Sequence, residues 1–166
     1  LYAGTESGLY ISSDDGRSWK SFQLNLPVVP VTDLAIKDND LIVATQGRSF
    51  WILDDITPLH QTTAQTAESD MWLFGPRDTF RMGGGGGASP NAGANPPNGV
   101  AIRYYLKDVP DSIAVTMRIL DTENAIIKSF GVKAREGESS LTINAGLNEF
   151  VWNMRYPDAE GFDGLI

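Results

Sequence analysis

The sequence predicts an all-β fold, on three observations. Its apolar residues fall in short runs rich in Val, Ile, Leu and aromatics, with no sustained helical stripe. The breaks between runs carry Gly, Pro, Asn and Asp, the residues of tight turns. The opening strand–turn–strand pattern also recurs once further along the chain. The offset is about 41 residues, within the ~40–50 residues of one propeller blade.

Residues 1–59 read as six short strands, at 1–5, 8–12, 18–24, 31–37, 41–46 and 49–53. Glu6-Ser7-Gly8, the stretch 12–17, the prolines between 27 and 30, Lys37-Asp38-Asn39-Asp40 and Gln46-Gly47-Arg48 separate them. The echo lies between residues 1–11 (Leu-Tyr-Ala-Gly-Thr-Glu-Ser-Gly-Leu-Tyr-Ile) and 42–52 (Ile-Val-Ala-Thr-Gln-Gly-Arg-Ser-Phe-Trp-Ile). Each copy is an apolar strand, a Gly-containing turn and an aromatic strand. At four strands to a blade, six strands make about one and a half blades of a β-propeller, too few to close a ring. With no Met at the start, the chain is expected to be a piece of a longer protein.

Residues 60–82 read as a connector. It is polar from Thr62 to Glu68, with a turn of helix expected around 63–69, and then aromatic at Met71-Trp72-Leu73-Phe74, a run expected to dock on a neighbouring domain. Residues 83–99 are a Gly- and Pro-rich loop. They lack the Lys-Ser/Thr pair and following helix of a phosphate-binding loop, so a flexible surface loop is expected.

Strands return in 100–166, at 100–106, 113–120, 125–130, 141–144 and 149–155. Ile113, Val115, Met117 and Ile119 alternate onto one face, as an antiparallel sheet with one buried side requires. Asp121-Thr122-Glu123-Asn124 is the turn that follows, and Trp152 is the candidate core anchor. The spacing suggests an immunoglobulin-like β-sandwich. About five strands are visible where ~7 are usual, so the sandwich is expected to be cut short or completed by residues 78–82.

The candidate residues of most interest lie in Ser12-Ser13-Asp14-Asp15-Gly16-Arg17-Ser18-Trp19. Asp14 can accept hydrogen bonds from its own turn, and Gly16 supplies a position needing positive φ. Ser12 and Ser18 can pin the turn across its base, and Trp19 can lie over it. A carboxylate engaged in this way is structural, not a catalytic or metal-binding partner of Asp15. The other acids, Asp38, Asp40, Asp54 and Asp55, read as turn residues or as strand neighbours pointing to opposite faces. Arg48 is expected to pair with a nearby acid, with a place lining a propeller channel as the other option. His60 is the only histidine and reads as an exposed linker residue. No catalytic, metal-binding or cofactor-binding set emerges.

The net charge is −8, with Lys and Arg scattered, which opposes phosphate binding and excludes a nucleic-acid partner. No apolar run approaches the ~20 residues of a membrane-spanning helix. Without cysteine there is no disulfide or thiolate chemistry.

The 12–19 stretch fits S-x-D-x-G-x-[S/T]-W, the Asp-box. On it, and on residues 1–11, 24–34, 44–55, 95–99 and 146–157, the chain resembles the C-terminal part of large bacterial BNR/Asp-box repeat proteins related to the sortilin-type propeller. The resemblance implies last propeller blades running into an immunoglobulin-like sandwich. It also implies secretion, to the periplasm or cell surface.

Three functional readings follow. In the first, the chain is a non-catalytic scaffold, with a protein, peptide or glycan bound by the complete propeller. The alternative is part of a glycoside hydrolase, since sialidases also carry Asp-boxes. Its arginine cluster, Tyr–Glu pair and acid Asp would then lie mostly upstream. The third is a purely structural role, in which the edges of the incomplete propeller pair with another chain.

Overall fold

The computed structural model describes residues 1–81, 98–109, 115–133 and 139–157. Most of the Gly/Pro-rich loop, Ile113 and residues 158–166 lie outside these. The described elements are short antiparallel strands with two single-turn helices, an all-β architecture. The chain divides into two compact units, residues 1–60 and 61–166.

The first unit contains two three-stranded meanders. β1 (Tyr2–Thr5), β2 (Gly8–Ile11) and β3 (Lys20–Ser21) form one, and β4 (Val31–Lys37), β5 (Asp40–Thr45) and β6 (Phe50–Leu53) the other. Leu9 from β2 packs with Leu41 and Val43 from β5 and with Ile56, and Tyr2, Phe22, Val31 and Trp51 pack around them. The two sheets thus share one core. Gly4 is where β1 meets β4: a Cβ there would stand 2.5 Å from Val31 Cγ1.

Turn chemistry sets each register. Lys37 pairs with Asp40 around a two-residue loop, and Asp38 and Asn39 both take positive φ. That is the primed geometry whose twist suits a tight hairpin, and Asn and Asp tolerate it. The β5–β6 loop is longer. The β5–β6 pairing ends at Ala44–Phe50, and past it the Thr45 N–H and hydroxyl both donate to the Ser49 carbonyl around Gln46-Gly47-Arg48. Gly47 and Ser49 take positive φ there.

β3 is much shorter than the strand expected over 18–24, for a local reason. Ser18 is bound into the preceding turn, and Leu24 sits at φ 46°, which ends extended structure. Between them the Gln23 side chain turns inward. Its Oε1 accepts from Leu9 N–H, and its amide donates to the carbonyls of Leu26 and Pro27.

Two helices follow β6. α1 (Thr57–Gln61) was not expected; Pro58, in its first turn, has the fixed φ that suits a helix start. α2 (Ala64–Glu68) falls within the expected 63–69 and opens on a capping box, in which Thr63 and Thr66 satisfy each other's backbone N–H.

The second unit also has two antiparallel sheets over one core. β7 (Met71–Leu73) pairs with β8 (Val100–Leu106), which pairs on its other side with β11 (Gly146–Trp152). β9 (Thr116–Leu120) and β10 (Ile126–Gly131) form a hairpin. Alternate residues Ile102, Tyr104 and Leu106 of β8 meet Phe150 of β11, Phe130 of β10 and Leu141. The Phe130 and Phe150 rings are tilted, 4.6 Å between centroids, and Val115, Met117 and Ile119 close over the side.

Three expectations are corrected in this unit, and the docking expected of residues 71–74 takes the form of a strand paired with β8. The aromatic run 71–74 belongs to the sheet as β7. Its flank is fixed by Gln61, whose side-chain amide exchanges two hydrogen bonds with the Gly75 backbone, as a neighbouring strand would. Residues 78–81 form no strand. Residues 141–144 are irregular because their polar groups have other partners. The buried Tyr104 hydroxyl donates to the Thr142 carbonyl, and Asn148 bonds both backbone groups of Asn144. Finally, β11 ends at Trp152, so Trp152 borders the core and Phe150 anchors it. Met154, at φ 54°, stops the strand.

Candidate functional site

The residues of the 12–19 turn converge on one carboxylate. Asp14 and Gly16 lie between β2 and β3, and Asp15 and Gly16 take φ of 58° and 85°, reversing the chain within two residues. The Asp14 Oδ1 accepts from the Ser12 hydroxyl at 2.9 Å and the Ser18 N–H at 2.8 Å; its Oδ2 accepts from the Ser18 hydroxyl at 2.6 Å. Ser12 is buried, and its Oγ accepts in turn from the Gly16 N–H at 2.8 Å. These bonds favour the ionised acid. The Ser18 hydroxyl does most, followed by the Ser18 N–H and the Ser12 hydroxyl, and together they lower the Asp14 pKa from 3.8 to about 2. Both oxygens of Asp14 are therefore engaged inside their own turn. Trp19 lies beside Gly16 but is 43% exposed, so its ring adds less burial to the hairpin than the sequence suggested.

The other acids serve separate turns, two of which meet where Asp55 joins Asp40. Asp38 is exposed and pairs with Lys37 at 3.0 Å, a surface contact of little energetic weight. β6 ends before Asp54 and Asp55, which separate: Asp54 is exposed and Asp55 buried. Asp55 has positive φ because it serves a latch. Its N–H donates to Asp40 Oδ1 at 2.8 Å, its own carboxylate accepts from Thr57 N–H, and Ile56 N–H donates to the Asn39 carbonyl at 2.7 Å. The segment after β6 is thereby fastened to the β4–β5 turn. Local sequence gave no signal for this, because the partners lie on separate turns.

Arg48 is the remaining candidate, and its expected acid partner is absent among the described residues. The side chain is exposed, and the backbone carbonyl of Arg48 accepts from the Trp51 indole at 2.9 Å. His60 is exposed in the last turn of α1. Among the described residues, no group of three or more His, Asp or Glu is placed to hold a metal ion, and no helix is long and apolar enough to cross a membrane.

The feature that sequence reasoning missed is a difference between the two echoed segments. In the echo, Leu9 corresponds to Phe50 and Ile11 to Ile52. Leu9 is 1% exposed, under the second sheet, whereas Phe50 is 75% and Ile52 59% exposed. Phe50 and Ile52 share their face with Ala44 and Ile42, their cross-strand partners on β5, so the exposed patch is a continuous apolar sheet face. The registers explain why the copies are not superimposable. Tyr2 pairs with Ile11 in the first, whereas Val43, the counterpart of Tyr2, pairs with Trp51. No family model, no curated protein and no solved structure matches this chain.

Proposed function

We propose that the chain is a non-catalytic scaffold within a stack of similar β-sheets. In this reading residues 1–60 are consecutive, incomplete propeller blades of the BNR/Asp-box type, and the second unit is an immunoglobulin-like sandwich. The observation that carries the proposal is the uncovered apolar face of the second sheet at Phe50 and Ile52. A repeat that cannot bury its apolar face alone does so against its neighbour. The two sheets bury Leu9, Leu41 and Val43 against each other; the other face of the second sheet presents Phe50 and Ile52 uncovered. A further sheet of the same kind would cover them.

The echo supports the framing. With β1 matched to β5 and β2 to β6, β4 becomes the first strand of a four-stranded repeat and β3 the last. A protein, peptide or glycan ligand would then belong to the complete propeller, in a secreted, periplasmic or surface-exposed protein. The chemistry of the acids agrees with a non-catalytic role. Asp14 and Asp55 accept hydrogen bonds within their turn and latch.

The test is a hydrolysis assay of this chain against fluorogenic glycosides, sialosides included, with parallel glycan and peptide arrays. No turnover and no retained ligand are expected. Turnover abolished by Asp54→Asn, Asp55→Asn or Arg48→Ala would overturn the proposal.

A further inference from the structure

We draw no further inference here: the strongest candidate, the row of half-buried Trp72 and Tyr105 and exposed Leu147 across β7, β8 and β11, is an apolar sheet face, and nothing in the structure shows what covers it.

Discussion

Leu9→Ala and Phe50→Ala remove side chains that the echo matches in sequence but the registers place on different sheet faces, and their costs should differ sharply. Leu9 is fully buried against Leu41, Val43 and Ile56. A partly open pocket of about 40 Å³ already adjoins it, lined by Leu24, Leu26, Leu41, Val43 and Trp51, so the space left by the deletion joins an existing one. Taking ~2 kcal/mol for transfer and a residual cavity of ~60 Å³ at ~24 cal/mol per Å³, the loss comes to about 3–4 kcal/mol. Phe50, three-quarters exposed, leaves only an intrinsic strand-propensity term, below about 1 kcal/mol.

The assay is a urea titration followed by NMR, reading β2 and β5 amides separately from those of residues 61–157. With m near ~1 kcal/mol/M for so small a unit, Leu9→Ala should lower the midpoint by roughly 3 M, or leave the first unit unfolded in water. Phe50→Ala should move it by less than roughly 1 M on the same slope. A Leu9→Ala loss below about 1 kcal/mol, or an equal loss from both variants, would refute the reasoning, because the two side chains would then be equally buried or equally free.

Two further outcomes concern the same unit. Asp14 is held at a pKa of about 2 by its serines, below its ordinary 3.8, so the stability it lends is present above the ordinary value and lost as pH falls through about 2. Melting temperature measured from neutral pH down to that value should therefore fall less steeply for Asp14→Ala than for the wild type; identical slopes would remove the carboxylate from the turn. Gly4→Ala places a Cβ against Val31, 2.5 Å from Cγ1 and 2.9 Å from Cβ, an overpacking cost of about 1–3 kcal/mol. In a double-mutant cycle with Val31→Ala the costs should be non-additive by at least ~0.5 kcal/mol, and simple additivity would show that β1 and β4 do not meet there.

Two strands were legible in the sequence with their full bounds, and one of them, β8, alternates in burial along its length. Val31–Lys37 and Val100–Leu106 have the expected bounds; β4 keeps them across an irregularity between Val31 and Asp33, where the Asp33 carboxylate accepts from the Leu34 N–H. Strand expectations failed where a polar side chain takes over backbone groups. Gln23 does so after β3, and Asn148 does so at residues 144–146. β7 was hidden because three residues are too short to show a period, and its role is defined only by pairing with β8. In the 12–19 turn the residue types announce the local geometry, since Asp, Gly and Ser each have a single plausible use in a tight reversal. The Asp40–Asp55 latch and the uncovered face at Phe50 depend on contacts between distant segments, which local patterning does not encode.

The most direct test of the stacked-sheet account is thiol accessibility, which the natural absence of cysteine makes clean. Single-cysteine variants Leu9→Cys, Phe50→Cys and Ile52→Cys of this chain would be labelled with a chromogenic disulfide reagent, in native buffer and in urea. The account predicts that Phe50→Cys and Ile52→Cys react natively at nearly their urea rates, while Leu9→Cys is protected until the unit unfolds. Native protection at positions 50 and 52 would contradict it: the face would already be covered within this chain, leaving no place for a further sheet.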